Sequence, residues 1–489
     1  MDDATILDLK ITGGWVIDGS GAARRRADLG IVGERIAAVG DLAGRPARRE
    51  LDARGKIVAP GFIDVHGHDD LMFVERPGLP WKISQGITTV VVGNCGVSGA
   101  PAPRPGNTAA ALALLGETPL FADMASYFET LRAQQPMINV AALVGHANLR
   151  LAAMADPSGT PTAQEQAAME AMLAQALEAG AVGFSTGLAY EPGGAARPAE
   201  LEGLARVAAR HGCLHTSHIR NEGDEVESAV DEVLQVGRAT QCATVLSHHK
   251  CMLARNWGRS RATLANIDRA RADGVAVALD IYPYPGSSTI LIPERADLID
   301  DIRITWSTPH PECSGEYLSD IAARWGCDKT EAARRLSPAG AIYFAMDDAE
   351  VRQIFRHECC MVGSDGLPND AHPHPRLWGS FTRVLGRYVR EAQIVSLEQA
   401  VAKMTALPAR VFGLAGRGLL QAGAWADVVV FDADRVIDRA TWDAPTQASD
   451  GIEAVLVNGA QVHPEPPQGR RPGHILRRDT QNHKPKEET

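Results

Sequence analysis

Six side chains of the kinds used in metal-assisted chemistry recur along this chain: His66, His68, Cys95, His218, His248 and Asp365. His66 and His68 form an H-x-H within GFIDVHGH. Side chains two apart on a strand share a face, so both imidazoles can reach one ion. Cys95 lies in GNCGVS, His218 in HTSHIRNEGD and His248 in SHHK. Taken singly, the cysteine reads as a small buried apolar residue and each histidine as a satisfied core residue. Together they offer one thiolate and two neutral imidazoles, a set suited to Zn²⁺ with a fourth position left for water. His215 and His249 compete for the same role. By pleat, each points to the opposite strand face from its neighbour, so both read as supporting or structural. Asp365, in VGSDGLP, has two readings. It is a turn-forming Asp before Gly, or the group that takes a proton from activated water and delivers it to a leaving amine. Its place at the end of the last candidate strand favours the second.

Eight short apolar runs carry these residues: 59–66, 87–95, 138–146, 180–186, 213–219, 243–248, 275–284 and 360–365. Each has the continuous apolar texture of a strand buried on both faces. Ala-, Leu- and Glu-rich helical stretches separate them, such as PTAQEQAAMEAMLAQALEAG. Eight alternating units predict an α/β chain folded as a (β/α)8 TIM barrel over 59–414. The C-terminal ends of the runs carry His66 and His68, Cys95, His146, His218, His248 with Lys250, Tyr282 and Asp365. That is the face where barrel active sites sit, and purely structural strands would not need the pattern. The interval 285–345 is too long for one helix, and it reads as an inserted lid-like subdomain. Short β-like runs fill 1–58 and return over 415–478. The chain after 464 is Pro-rich and polar, and 479–489 reads as a flexible tail.

Composition narrows the classes. With 489 residues, 45% hydrophobic and 22% charged, the chain can bury a large core. A formal net charge of -11 argues against nucleic acid, yet a local pair of cations suffices to hold a small anion. The acidic start MDDATILDLK lacks the basic and apolar segments of a signal peptide, and no window reaches the apolar length of a membrane span. Eight scattered cysteines do not form a disulfide framework, which predicts a reducing, cytoplasmic setting.

The segments PGFIDVHGH, GITTVVVGNCG, GHANLR, GFSTGLAYEPG, HTSHIRNEGD, LSHHK and GSDGLP, spread over nearly the whole chain, resemble the N-acyl-D-amino acid deacylases of the amidohydrolase superfamily. The resemblance implies a tightly held zinc on Cys95, His218 and His248, and a second, weaker metal position on His66 and His68. It implies Asp365 as the catalytic acid/base, and pairing of the two β-rich ends into a small β-sandwich. The implied reaction is hydrolysis of a linear amide to a carboxylate and a D-amino acid, the D configuration resting on the resemblance alone. Cys95 stands where dinuclear relatives carry a carboxylated lysine, which disfavours a cyclic-amide hydrolase of the dihydroorotase or hydantoinase type. A non-enzymatic scaffold on the same barrel is the other alternative, and such a protein would have lost metal ligands.

Every N-acyl amino acid carries an α-carboxylate, so cations are expected near the barrel mouth. Lys250, Tyr282 and Arg376, the last in the loop after Asp365, are the candidates by position, and similar positions serve in the family. Tyr190, in GLAYEPG, is a further candidate for the pocket lining. Their alternative readings are surface solvation for the cations and packing for the tyrosines. Arg295, in GSSTILIPERAD, would pair with an acidic side chain and so select N-acyl-D-glutamate, or less favourably N-acyl-D-aspartate. Alternatively it pairs locally with Glu294 or Asp297.

Overall fold

The computed structural model describes residues 6–479 except 468 and 470. The tail expected over 479–489 lies, beyond Asp479, outside the described residues. Eight parallel strands form the central sheet: β1 (Phe62–Asp64), β2 (Ile87–Val92), β3 (Asn139–Gly145), β4 (Gly183–Gly187), β5 (Leu214–His218), β6 (Ala243–Leu246), β7 (Val277–Ile281) and β8 (Cys360–Val362). They are hydrogen-bonded in chain order, as right-handed β/α connections require. β2 reads ITTVVV and every residue of it is buried, which is what β-branched side chains between two covered faces provide. The helix Ala163–Ala179 begins in a capping box between Thr162 and Glu165, and Gly180 at φ 123° ends it.

The first and last strands meet to close the barrel. The Val65 amide donates to the Val362 carbonyl at 3.5 Å and the Asp365 amide to the His66 carbonyl at 2.7 Å. Gly67 and Gly366 form a parallel bridge just beyond. Inside, Ile63, Val91, Leu143, Leu214, Val245 and Met361 fill the barrel, and Leu407, Phe412, Leu414 and Leu476 pack beneath them. Leu476 belongs to the Pro-rich C-terminal stretch. That stretch is held at the barrel base by pairing of Ile475 with Val140.

Outside the barrel lie two further sheets built from both chain ends. One is four-stranded, from Leu9–Thr12, Asp28–Val32, Arg35–Gly40 and Glu50–Asp52. The other is six-stranded and joins Trp15–Val16, Arg25–Arg26 and Ile57–Pro60 to Val428–Phe431, Ile452–Val457 and Ala460–His463. Ile11, Leu29, Ile31, Val58, Val428 and Leu456 pack between them. The six-stranded sheet takes in Ile57–Pro60 and so runs past residue 58. Between β7 and β8, Ser287–Ile290, Ile302–Ser307 and Ala339–Tyr343 form a three-stranded antiparallel sheet with the helices Leu318–Trp325 and Lys329–Leu336. Among the described residues no helix is long and apolar enough to cross a membrane.

Candidate metal centre and active site

The barrel's C-terminal end gathers the ionisable residues just beyond the strands. His218 is the last residue of β5, but His66, His68, Cys95, His248 and Asp365 all follow their strands. The H-x-H is therefore not displayed by a strand pleat, since β1 stops at Asp64. The turn after it brings the two imidazoles to 5.5 Å between ring centroids. Cys95, His248 and Asp365 adopt φ of 53°, 36° and 48°. A left-handed backbone at a residue other than glycine costs on the order of 1–3 kcal/mol and persists where the surroundings impose it. Three such residues converging on one cavity mark it as a built site. Gly187 lies so close under the Cys95 carbonyl that any Cβ there would overlap it.

The donor atoms of His66, His68, Cys95 and Asp365 lie within 4.8 Å of one another, as do those of Cys95, His218 and His248. Cys95 is common to both groups. Its Sγ stands 3.2 Å from His66 Nε2 and 3.3 Å from His248 Nε2. Asp365 Oδ1 is 3.2 Å from His68 Nε2 and 3.4 Å from His66 Nε2. His68 Nδ1 and His218 Nδ1 are buried with no hydrogen-bond partner among the described residues. One soft thiolate, four imidazoles and one carboxylate, converging and buried, are a donor set that fits zinc at one or two positions.

The electrostatics point the same way. Burial pushes the Cys95 thiol up, but His66 and His248 outweigh it and hold the group well below the ordinary thiol range. Burial opposes a charge on His66, yet Cys95, Asp280 and Asp365 raise it well above the usual imidazole value. Burial and Lys250 oppose a charge on His248, while Cys95 and Asp365 carry it to about 9. Asp365 is pushed up by burial and held well down by Arg376, His66 and His248. Opposite charges are thus interleaved in the centre, and the ionised Cys95 and Asp365 are the negative donors that a dication would take.

A buried network pins the barrel's closing seam. Lys82 Nζ donates to Asp64 Oδ2 at 2.7 Å and to Ser364 Oγ at 3.0 Å, and pairs with Asp69 Oδ2 at 2.9 Å. Asp64 Oδ1 accepts from the backbone amides of His66 and Ser364. This ties the loop bearing His66 to the loop bearing Asp365.

The remaining candidates fall into three positions. Lys250, Tyr282, Tyr190 and Arg295 line one cavity together with His68, Cys95, His218, His248 and Asp365. Arg376 is not in a loop but opens the helix Arg376–Arg383, wholly buried behind the lining. Its guanidinium pairs with Asp365 Oδ2 at 2.8 Å and lies 4.4 Å from the Tyr282 ring centroid. His146 leaves the centre altogether, because its Nε2 meets Glu200 at 2.8 Å. His215 bonds Thr186 and His249 bonds Thr263, both away from the cavity. Arg295 has no carboxylate partner among the described residues, and lies 5.7 Å over the Tyr343 ring. Asp297 accepts instead from Thr330.

The amidohydrolase family profile matches residues 49–292 and 332–463. The chain belongs to the amidohydrolase family. N-acyl-D-glutamate deacylase of Alcaligenes xylosoxydans xylosoxydans is 80% identical over 473 residues, 97% of each chain. A solved N-acyl-D-glutamate deacylase from Bordetella bronchiseptica, complexed with zinc and a phosphonate mimic of the tetrahedral intermediate, is 78% identical. It matches with a TM-score of 0.96 over 97% of this chain and 100% of that one. A D-aminoacylase with a binuclear metal centre, activated by one metal and attenuated by the second, is 46% identical. Its TM-score is 0.94, over 96% of this chain and 100% of that one.

Two carboxylates of this amidohydrolase's site escaped the sequence reading. Glu222 Oε1 stands 2.5 Å from Lys250 Nζ and 3.2 Å from His248 Nδ1. Asp280 Oδ1 stands 3.3 Å from His66 Nδ1 and accepts from the His248 amide. An acceptor on Nδ1 leaves the Nε2 lone pair for a metal. The available signals were an acid inside the apolar run VAVALDIYPY and an acid four residues after His218.

Proposed function

We propose that this chain is a zinc-dependent deacylase that hydrolyses the amide bond of N-acyl-D-amino acids, with N-acyl-D-glutamate preferred. The observation that carries the reading is one cavity lined both by the metal-donor cluster around Cys95 and by Lys250, Tyr282 and Arg295. Cys95, His218 and His248 would hold the tight zinc, and His66 and His68 a second, weaker position. Zinc, when bound, supplies a Lewis acid that acidifies water and polarises the scissile carbonyl.

The protein's own groups do the rest. Asp365 is kept ionised by Arg376, so it is ready to accept the proton of the attacking water. As the amide C–N bond breaks, Asp365 returns that proton to the departing nitrogen, leaving a carboxylate and a free amine. Lys250 and Tyr282 take the substrate α-carboxylate, with Arg376 adding its charge from behind the Tyr282 ring. Glu222 keeps Lys250 extended toward the cavity. Arg295, with no carboxylate partner among the described residues, takes the γ-carboxylate of a glutamyl side chain. The setting we assign is a reducing cytoplasm, supported by eight unpaired cysteines of which seven are buried.

The test is hydrolysis of N-acetyl-D-glutamate, N-acetyl-L-glutamate and N-acetyl-D-leucine by the zinc-loaded protein. Activity confined to the D-glutamate compound is the expected result. Preference for D-leucine would discard the role of Arg295 and keep the deacylase, whereas turnover of none would overturn the assignment.

A further inference from the structure

The reaction cavity is lined unevenly. Its charged groups serve the two carboxylates and the reacting atoms, which leaves Leu114, Leu367 and the ring of Tyr190 as an apolar side. These three belong to one apolar cluster with Cys95 and Ala111, against which Ile290 packs. The cluster does not stop at the cavity. Ala111 and Ile290 also form walls of a groove of about 550 Å³ on the barrel mouth, together with Ala109, Ala110 and Ile292. Tyr190 lines both spaces. On one side its ring meets His218 edge-on at 4.7 Å, and its hydroxyl is 2.8 Å from Thr289 Oγ1. The Tyr190–Thr289 pair is therefore the partition between the reaction cavity and a larger groove, apolar along Ala109, Ala110, Ala111, Ile290 and Ile292.

We propose that this groove is the subsite for the acyl chain, and that the enzyme takes straight-chain aliphatic acyl groups well beyond acetyl. The inference rests on the deacylase reading above and adds the acyl specificity. With the amino-acid half held by Lys250, Tyr282 and Arg295, and the amide carbon at the donor cluster, the acyl substituent faces the uncharged side. A two-carbon acyl group stays inside Tyr190. A longer one must part Tyr190 from Thr289, and then lies along Ala110, Ile290 and Ile292, where each methylene leaves water. A methylene half covered in an open groove gains about twofold in binding, against about fourfold for full burial. The groove's other wall carries Asn107, Thr108, Ser158 and Glu191, and an anionic acyl terminus would meet the Glu191 carboxylate.

The test is a chain-length series of N-acetyl-, N-butyryl-, N-hexanoyl- and N-octanoyl-D-glutamate, read as kcat/KM on the zinc-loaded protein. It is paired with calorimetric binding of the acetyl and octanoyl compounds to D365N, which holds substrate without turning it over. The expected result is a rise of about 16-fold in kcat/KM from butyryl to octanoyl, and octanoyl binding at least tenfold tighter than acetyl. Ala110→Trp, which fills the groove from an exposed position, and Ile292→Asn, which makes its wall polar, should each erase the octanoyl gain. Both should leave acetyl turnover within twofold. Octanoyl bound or turned over more weakly than acetyl, or equal losses on both substrates in the two variants, would overturn the subsite. Hydrolysis of none of the series together with tight octanoyl binding to D365N would sink the deacylase reading and keep the groove.

Discussion

The two ends of the same eight strands are built to opposite rules. At the C-terminal end the chain leaves the strands through left-handed residues, Cys95, His248 and Asp365, and buries charge on charge. At the N-terminal end Leu407, Phe412, Leu414 and Leu476 close the barrel with hydrocarbon. Burying an ionised group costs several kcal/mol before its partners return any of it, whereas burying a leucine or phenylalanine side chain gains about 1.5–3 kcal/mol. The base is thus where stability is collected and the mouth where it is spent. A substitution at one end should move one property and spare the other.

The largest separation is expected at Asp365. D365N keeps the shape but can no longer accept a proton, so kcat should fall by about 10³–10⁴-fold. Zinc content should change little. A loss of less than tenfold would remove Asp365 from the proton path. The converse experiment is at the base. Phe412 is fully buried beneath the barrel, and Phe412→Ala should cost about 3–5 kcal/mol of stability. Its kcat/KM on N-acetyl-D-glutamate at 25 °C should stay within twofold of the parent. A matching fall in activity would mean that base and mouth are coupled.

The same contrast explains what the sequence disclosed. The barrel was legible because its signal is periodic, eight apolar runs between helical stretches, and the donor residues were legible because they fall one after another at the ends of those runs. What stayed hidden depends on contacts that no local pattern encodes. Asp280 meets His66 across 214 positions of sequence, and Glu222 reaches Lys250 from a loop. The three-stranded sheet of the insertion was invisible, since only its helical pieces have a clear period. With it went the Tyr190–Thr289 partition, whose halves come from different elements. Arg376 looked like a loop residue, and its burial behind Tyr282 is set by tertiary packing alone.

A smaller effect separates two functions within the mouth itself. Arg295 lies in the turn Pro293–Arg295 between β7 and β8 and not on a barrel strand. Arg295→Ala should therefore lower kcat/KM for N-acetyl-D-glutamate by about 100-fold, the cost of leaving a carboxylate unpaired in the cavity. N-acetyl-D-methionine should lose less than threefold. Equal losses on the two substrates would make Arg295 a structural residue of the insertion, and the side-chain preference would need another source.

The finest test concerns two histidines on one strand. His218 ends β5 and faces the cavity, while His215, three residues earlier, stacks on Phe184 at 4.5 Å between centroids and bonds Thr186. Burial, with a smaller contribution from His146, lowers the His215 pKa to about 3. An unfolded histidine titrates near 6.5. Above about pH 6.5 the side chain is neutral in both states and contributes no pH dependence. Below it the unfolded chain binds a proton that the folded one refuses, so stability falls as the pH falls. The slope is about 1.4 kcal/mol per pH unit, down to about pH 3. Between pH 7.5 and 5 this amounts to about 2 kcal/mol. His215→Gln keeps a hydrogen-bonding group but does not titrate. Its melting temperature should therefore lie below that of the parent at pH 7.5 and close part of the gap at pH 5, with zinc content unchanged at both. A gap that stays constant across this range would show that His215 does not resist protonation. Loss of zinc would instead assign it to the mouth, and the pleat that separates the two histidines would no longer separate stability from chemistry.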